Sequence, residues 1–428
     1  MSSLIVALLV LAQTAEVPPD EVKVTPPPTP EEMKAAAKDA AKPPPPAEGA
    51  PEFIAGFRNG EGFRLLSEDG NWKLRVGLQA STNYQPTFAL VPGEQTSMNW
   101  SQFKVPFARA RVDGSVFKKW IRYWFSFEFA QFPPFLLDGY IEAQPHPMFG
   151  ARLGQMYTPL SRHEYLGPQE LVFPEWAIVA DYFWTGRDKG LQLFGEGDII
   201  WYYFGFFGGS PPRTTTNTTG NFQLIGRVTV NPMGKMGWAE IPWIMQKDDE
   251  GVPFKVSFTV QGAWSKIAPS AFGFNPSIGI YQRSDEPLRH QGIISGDAQL
   301  QWGRFGLMTE FYARQLNPIG LAVQPFWQFG WWGQANFTFY KKCLDLSVRV
   351  NWLDPHEKVA NDTFVSGEVQ LGWWPFPPYV SLKLRYGVGH QNDPGAGTGE
   401  AQLFDIMKLV GTPGGTTHLV TLQANVAF

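Results

Sequence analysis

From Phe53 onward this chain alternates apolar and polar side chains with period two, segment after segment. No apolar run after residue 12 reaches the roughly eighteen residues of a membrane helix. In 72–84, Trp72, Leu74, Val76, Leu78 and Ala80 share one face of an extended strand, while Lys73, Arg75, Gln79, Ser81 and Asn83 share the other. The chain has 15% aromatic residues, 17 Trp and 34 Phe, yet only 17% charged residues and a slightly negative mean hydropathy. Apolar residues that abundant, without long runs, have to be distributed in alternation. Strands with one apolar and one polar face, closed on themselves, put lipid outside and water inside. The pattern implies an all-β fold, a transmembrane antiparallel β-barrel.

The same two-faced reading fits 104–116, 120–130, 136–144, 150–156, 188–195, 199–207, 221–231, 253–266, 290–302, 304–315, 326–340, 343–353, 363–374, 379–388 and 417–428. Together with 72–84 they predict about sixteen strands, a size that leaves an aqueous channel. The gaps alternate in length, as a barrel with long outer loops and tight periplasmic turns requires. Gaps 85–103, 157–187, 209–220, 267–289, 317–325 and 389–416 are long, and those at 117–119, 145–149, 196–198, 303, 341–342 and 375–378 are tight. One tight position, 232–252, is long instead, and is either an ordered periplasmic excursion or an extra hairpin. In the last segment Val420, Leu422, Ala424, Val426 and Phe428 fall on one face. A closing strand that carries its final aromatic to the lipid interface makes Phe428 the expected signal for the barrel assembly machinery.

The N-terminal part divides in two. Leu4 to Ala12 form a short apolar segment, too short to span a bilayer and of the size of a signal-peptide core, with Val10 and Ala12 at the cleavage positions. Residues 1–12 are therefore expected to be a signal peptide. Residues 13–51 hold two proline blocks around an Ala, Lys and Glu stretch and no aromatic, which predicts a proline-rich periplasmic tether. The barrel is expected over 52–428, in the outer membrane of a Gram-negative bacterium.

Several chemistries are excluded or weakened. A single cysteine, Cys343, allows no intramolecular disulfide and argues against a cysteine metal site. The six histidines, His146, His163, His290, His356, His390 and His418, lack ligand spacing, so neither a metal site nor a cofactor is expected. His290 with Ser295 and Asp297 is the nearest approach to a hydrolytic triad, but a strand distributes these side chains along the wall, and no enzyme is expected. A net charge of −4 predicts no nucleic-acid partner. Asn217-Thr-Thr219 meets the glycosylation sequon by chance in a polar loop.

A run of short landmarks resembles the phosphate-selective porin O and P family of outer-membrane channels. They are Gly62-Phe63, Ser67, Asp69-Gly70, Leu74-Arg75-Val76-Gly77, Arg109, Arg111, Gly114, Asp138-Gly139-Tyr140, Arg152-Leu153-Gly154-Gln155, Pro159 and Arg187-Asp188-Lys189-Gly190. The C-terminal half matches only in rhythm. The resemblance implies a sixteen-stranded barrel, usually a homotrimer in outer-membrane lipid, whose third outer loop folds into the lumen as a basic constriction. Segment 157–188 sits where that loop belongs, with Arg162, His163 and Arg187 as its basic residues. One departure, Trp176 after Pro174-Glu175 where members often carry arginine, argues against narrow phosphate selectivity.

The residues themselves lean toward anions. If the polar face of each strand meets water, the lumen receives Lys73, Arg75, Arg109, Arg111, Arg122, Arg152, Arg227, Lys255, Arg304, Arg314, Arg349, Lys383 and Arg385. Against them stand Asp113, Glu128, Asp138, Glu142, Asp297, Glu310, Asp345 and Glu368. Such a wall favours small anionic solutes, unless cross-strand Arg–carboxylate pairs neutralise it. Three readings follow. One is passive diffusion with anion preference, including phosphate. The second is a general or carbohydrate-selective porin with Trp124 or Trp332 lining the channel, and the third is a plugged structural barrel.

Overall fold

Strands form where the two-residue period places them. The computed structural model describes residues 53–58, 62–90, 98–209, 220–240, 252–267, 274–275, 280–281, 289–319, 324–340, 343–392 and 415–428. The signal-peptide and tether expectations (1–51) and the Asn217 sequon lie outside the described residues. The strands are β1 (Phe53–Arg58), β2 (Gly62–Ser67), β3 (Lys73–Leu90), β4 (Met98–Val116), β5 (Lys118–Glu128), β6 (Phe135–His146), β7 (Phe149–Tyr157), β8 (Arg187–Glu196), β9 (Ile200–Phe207) and β10 (Phe222–Val230). They continue as β11 (Val252–Ile267), β12 (Phe274–Asn275), β13 (Ile280–Tyr281), β14 (Arg289–Gly303), β15 (Phe305–Pro318), β16 (Phe326–Phe339), β17 (Leu344–Asp354), β18 (Phe364–Phe376), β19 (Val380–Gln391) and β20 (Thr416–Ala427). A six-residue helix, α1 (Ile178–Phe183), lies between β7 and β8.

From β3 to β11 and from β14 to β20 each strand pairs antiparallel with its sequence neighbour, β11 pairs with β14, and β20 closes onto β3. Sixteen of the described strands thus form a complete barrel, with its backbone groups paired all the way round. At the seam Phe428 donates its N–H to Leu78 O at 2.9 Å and accepts from Leu78 N at 2.6 Å. Its ring lies on the outer face with Leu422 and Val426, all three exposed.

Burial follows strand parity. Along β15 and β17, Leu307, Phe311, Leu346, Val348 and Val350 are exposed, while Met308, Glu310, Tyr312, Asp345, Ser347 and Arg349 are buried. The apolar side chains are the ones facing out, as a lipid-bathed barrel requires. The paired tryptophans split in the same way: Trp331 and Trp373 point outward, and Trp332 and Trp374 inward.

Two elements add to the sixteen-strand pattern. β1 and β2 form a hairpin in which β2 takes up the stretch of β3 (Lys73–Val76) that β20 leaves unpaired. β1 is exposed on both faces, so it carries no alternation to read. Gly62, at φ +73°, lets β2 approach β3; a Cβ there would lie 2.1 Å from Val76 O. The short strands β12 and β13 pair with each other in the β11–β14 connection.

Candidate permeation pathway

The β7–β8 connection, 158–186, folds inward. It carries prolines at 159, 168 and 174 and forms no regular element before α1, so its backbone groups need other partners. Inward-facing wall residues supply them: Lys383 Nζ donates to Leu171 O (2.6 Å), Gln370 Nε2 to Val172 O (2.5 Å), Gln423 Nε2 to Pro174 O (3.1 Å) and Arg349 Nη1 to Glu175 O (3.0 Å). The loop's apolar residues sink into the same wall, where Ala177, Val179, Ala180 and Phe183 pack with Tyr312, Trp332, Leu353 and Phe364. Gly330 makes the room; a Cβ there would meet Phe183 at 2.4 Å and Val179 at 2.7 Å.

Glu310 is the hub of this seat. Its carboxylate accepts from Ser161 Oγ (2.9 Å), the N–H groups of Arg162 (2.7 Å) and His163 (3.2 Å), Trp332 Nε1 (3.2 Å) and Tyr312 Oη. Nearby Glu164 is 1% exposed, and neither carboxyl oxygen has a hydrogen-bond partner. Burial first, then Asp181 and Glu310, push its carboxyl well above the ordinary range and favour the neutral acid.

The inward loop docks on β9–β11 and β14–β20 and reaches β7 where Arg152 Nη1 donates to Tyr165 Oη at 2.7 Å; the lumen cations fall into two groups by their exposure. On the opposite wall, β3–β7, Arg75, Arg109, Arg111, Arg122 and Arg152 keep 25%, 12%, 19%, 48% and 14% of their side-chain surface in water. Lys73 is half-buried at the start of β3. Arg162 of the loop itself, Arg187 at the start of β8, and Arg227, Arg314, Arg349, Lys383 and Arg385 on the strands are all buried. Their charges are spent on fixed partners: Arg162 and Arg227 on Asp297 (2.8 and 2.7 Å), Arg187 on Asp138 (2.7 Å), Arg349 on Glu368 (2.8 Å), and Arg385 on Glu368 and Glu175 (3.1 and 3.2 Å). The water-exposed wall is also paired, strand to strand, as Arg109 is with Glu128 at 2.8 Å. Carboxylates are shared in both groups, Asp297 and Glu368 under the loop and two more on the water-exposed wall. Asp113 holds both Arg75 and Arg111, and Glu142 holds both Arg122 and Arg152.

The β10–β11 connection is long where its counterparts are tight, and its described part, 231–240, folds inward. Glu240 is buried, with Oε1 3.0 Å from His163 Nε2 and Oε2 accepting Val172 N–H at 2.5 Å. Burial alone would raise its carboxyl, but the His163 contact, the Val172 N–H and Arg349 outweigh it and hold it below the ordinary range. Trp238 stacks on Tyr165 at 4.8 Å. Between this segment and β5–β8 lies a cavity of about 420 Å³ lined by Arg122, Gln144, Pro147, Arg152, Phe194, Glu196 and Lys235.

Other sequence candidates are dispersed. His290 lies on the opposite strand face from Ser295 and Asp297, and Asp297 is committed to two arginines. Trp332 is fully buried against His163 (4.5 Å), while Trp124 lies on the water-facing side, parallel to Tyr140 and covered by Arg111 at 5.0 Å. Sequence reasoning did not single out Trp238, Glu240 or Glu175 among the functional residues. The unusual length of 232–252 was the only signal for the first two.

No protein-family model and no curated protein matches the sequence. Solved structures do match in fold. An anion-selective porin from Comamonas acidovorans superposes with a TM-score of 0.53 at 10% identity, covering 83% of this chain and 100% of that one. The trimer form of OmpT, an outer membrane protein of Vibrio cholerae, gives 0.53 at 9% identity, with 83% and 99% covered. Pseudomonas putida OprB gives 0.50 at 10%, with 82% and 94% covered. The fold is that of a sixteen-stranded porin-type barrel.

Proposed function

We propose that this chain is an outer-membrane porin for passive diffusion of small hydrophilic solutes, with a preference for anions, phosphate among them. The observation that carries the reading is the sharing of carboxylates on the water-exposed wall. Two acids, Asp113 and Glu142, face four guanidiniums, so cross-strand pairing leaves that wall positive rather than neutral. Confined positive charge lowers the barrier for anions and raises it for cations. Glu170 of the inward loop lies within electrostatic reach of Arg111, and burial pushes its carboxyl up, against its charged form. The landmark run between 62 and 195 that resembles the phosphate-selective porins agrees with this preference. So does the shared fold of the anion-selective porin. On this reading 1–12 is a signal peptide, 13–51 a periplasmic tether, the tight-turn end faces the periplasm, Phe428 serves assembly, and the barrel is a homotrimer.

One observation favours a second reading, the plugged barrel: chain from both ends of the barrel meets inside the lumen at Glu240 and His163. A planar bilayer with a KCl gradient separates the two. The porin reading expects conductance with a reversal potential on the chloride side. Conductance with zero or cation-side reversal overturns the anion preference, and a silent barrel supports the plug.

A further inference from the structure

We propose that the β10–β11 connection is a clamp that sets the calibre of the pathway from the tight-turn end, with Trp238 and Glu240 as the residues that hold the inward loop in its seat. The proposal rests on reading the lumen as a conduit. Glu240 Oε2 accepts the Val172 N–H of the loop, and Oε1 lies 3.0 Å from His163 Nε2. His163 Nδ1 accepts the Ala177 N–H at 3.2 Å, which fixes the ring beside Glu240. Trp238 covers a second junction. Its ring lies 5.2 Å from the Arg162 guanidinium, which belongs to the loop, and 5.1 Å from that of Arg227, which belongs to β10. Both arginines share Asp297. The indole therefore excludes water from the ion triad that joins loop to wall, where a low dielectric strengthens the bonds. The connection is tied to the barrel in turn, with Gln299 Nε2 donating to Ala239 O at 3.0 Å.

None of these contacts is needed to close the barrel, whose strands pair without them. What they fix is the position of a loop whose other described contacts are all to the barrel strands and to itself. A segment that meets the loop from the opposite end of the barrel can restrict its movement into or out of the passage. The residues act by positioning, not by touching solute.

The test uses full-length barrel carrying W238A, E240A, the double variant and the conservative W238F, each checked for heat-modifiable folding before reconstitution. Single-channel recording reads the ratio of high- to low-conductance dwell time, and liposome swelling with neutral sugars reads the exclusion size. The double variant is expected to raise the dwell ratio on the order of tenfold or more, as loss of a buried hydrogen-bonded group does to a two-state equilibrium. It should also admit larger sugars, while W238F stays near wild type. Folded variants with wild-type dwell ratio and exclusion size would overturn the clamp, and so would a silent wild type with silent variants. A silent wild type whose double variant conducts would sink the porin reading and keep the clamp.

Discussion

The walls β3–β7 and β14–β20 both carry arginines on their inward faces, yet they use them differently. On β3–β7 the guanidiniums stay partly in water and outnumber the acids that hold them. On β14–β20 they share acids too, as Arg349 and Arg385 share Glu368, but they are buried beneath the inward loop and spend further donors on it, as Arg349 does on Glu175 O. Strand register decides that a residue faces inward. What lies opposite then decides whether its charge is offered to solute or consumed by packing.

Breaking the seat should give the largest effect. Glu310→Ala leaves five buried donors without their acceptor, at a cost of about 1–3 kcal/mol for even one of them. The displaced loop population should rise on the order of a hundredfold at about 3 kcal/mol. Protease sensitivity of 158–186 in folded barrel measures it. Next in size, Gly330→Val forces a side chain into Phe183 and Val179, an overpacking penalty of about 1–3 kcal/mol. It should lower the unfolding temperature of the reconstituted barrel and increase current noise, and Gly330→Ala should do so less.

A smaller effect is expected with pH. The raised carboxyl of Glu164 contributes stability that is fully present below the ordinary carboxyl value of 4.5 and lost as pH rises through its folded value. The seat should therefore loosen toward alkaline pH, by on the order of 1 kcal/mol per unit while Glu164 titrates. Glu164→Gln, which stays neutral, should flatten that dependence of current noise. The smallest effect belongs to the β17–β18 connection. Burial and then Asp354 push the Asp362 carboxyl up to about 7, so its stabilising contribution is fully present below the ordinary 3.8 and lost as pH rises through about 7. Hydrogen exchange in 355–363 should quicken across that window, and Asp362→Asn should abolish the change.

The barrel was legible because lipid outside and water inside impose parity on every strand, and alternation near 72–84 or 326–340 records it directly. The β1–β2 hairpin was not, because Phe53–Arg58 is exposed on both faces and nothing enforces a period. Inward direction was readable for Arg75 and Arg349 alike, but not which of them meets water. That depends on where the inward loop lies, and the loop is held by contacts as distant in sequence as Leu171 with Lys383 and Ser161 with Glu310. The same holds for Trp238 and Glu240, whose partners across the lumen leave no local pattern. Only the length of their segment was conspicuous.

The central claim is that the β3–β7 wall sets charge selectivity while the opposite wall seats the loop. Reversal potentials under a KCl gradient at low salt, where screening is weakest, test it most directly by comparing R75Q/R111Q with R314Q/R349Q, two charges removed from each wall. The account predicts that R75Q/R111Q moves the reversal potential toward zero with little change in conductance. R314Q/R349Q should keep the wild-type reversal potential and instead raise current noise or conductance as the loop loosens. An equal shift in both variants, or a shift confined to R314Q/R349Q, would contradict the account.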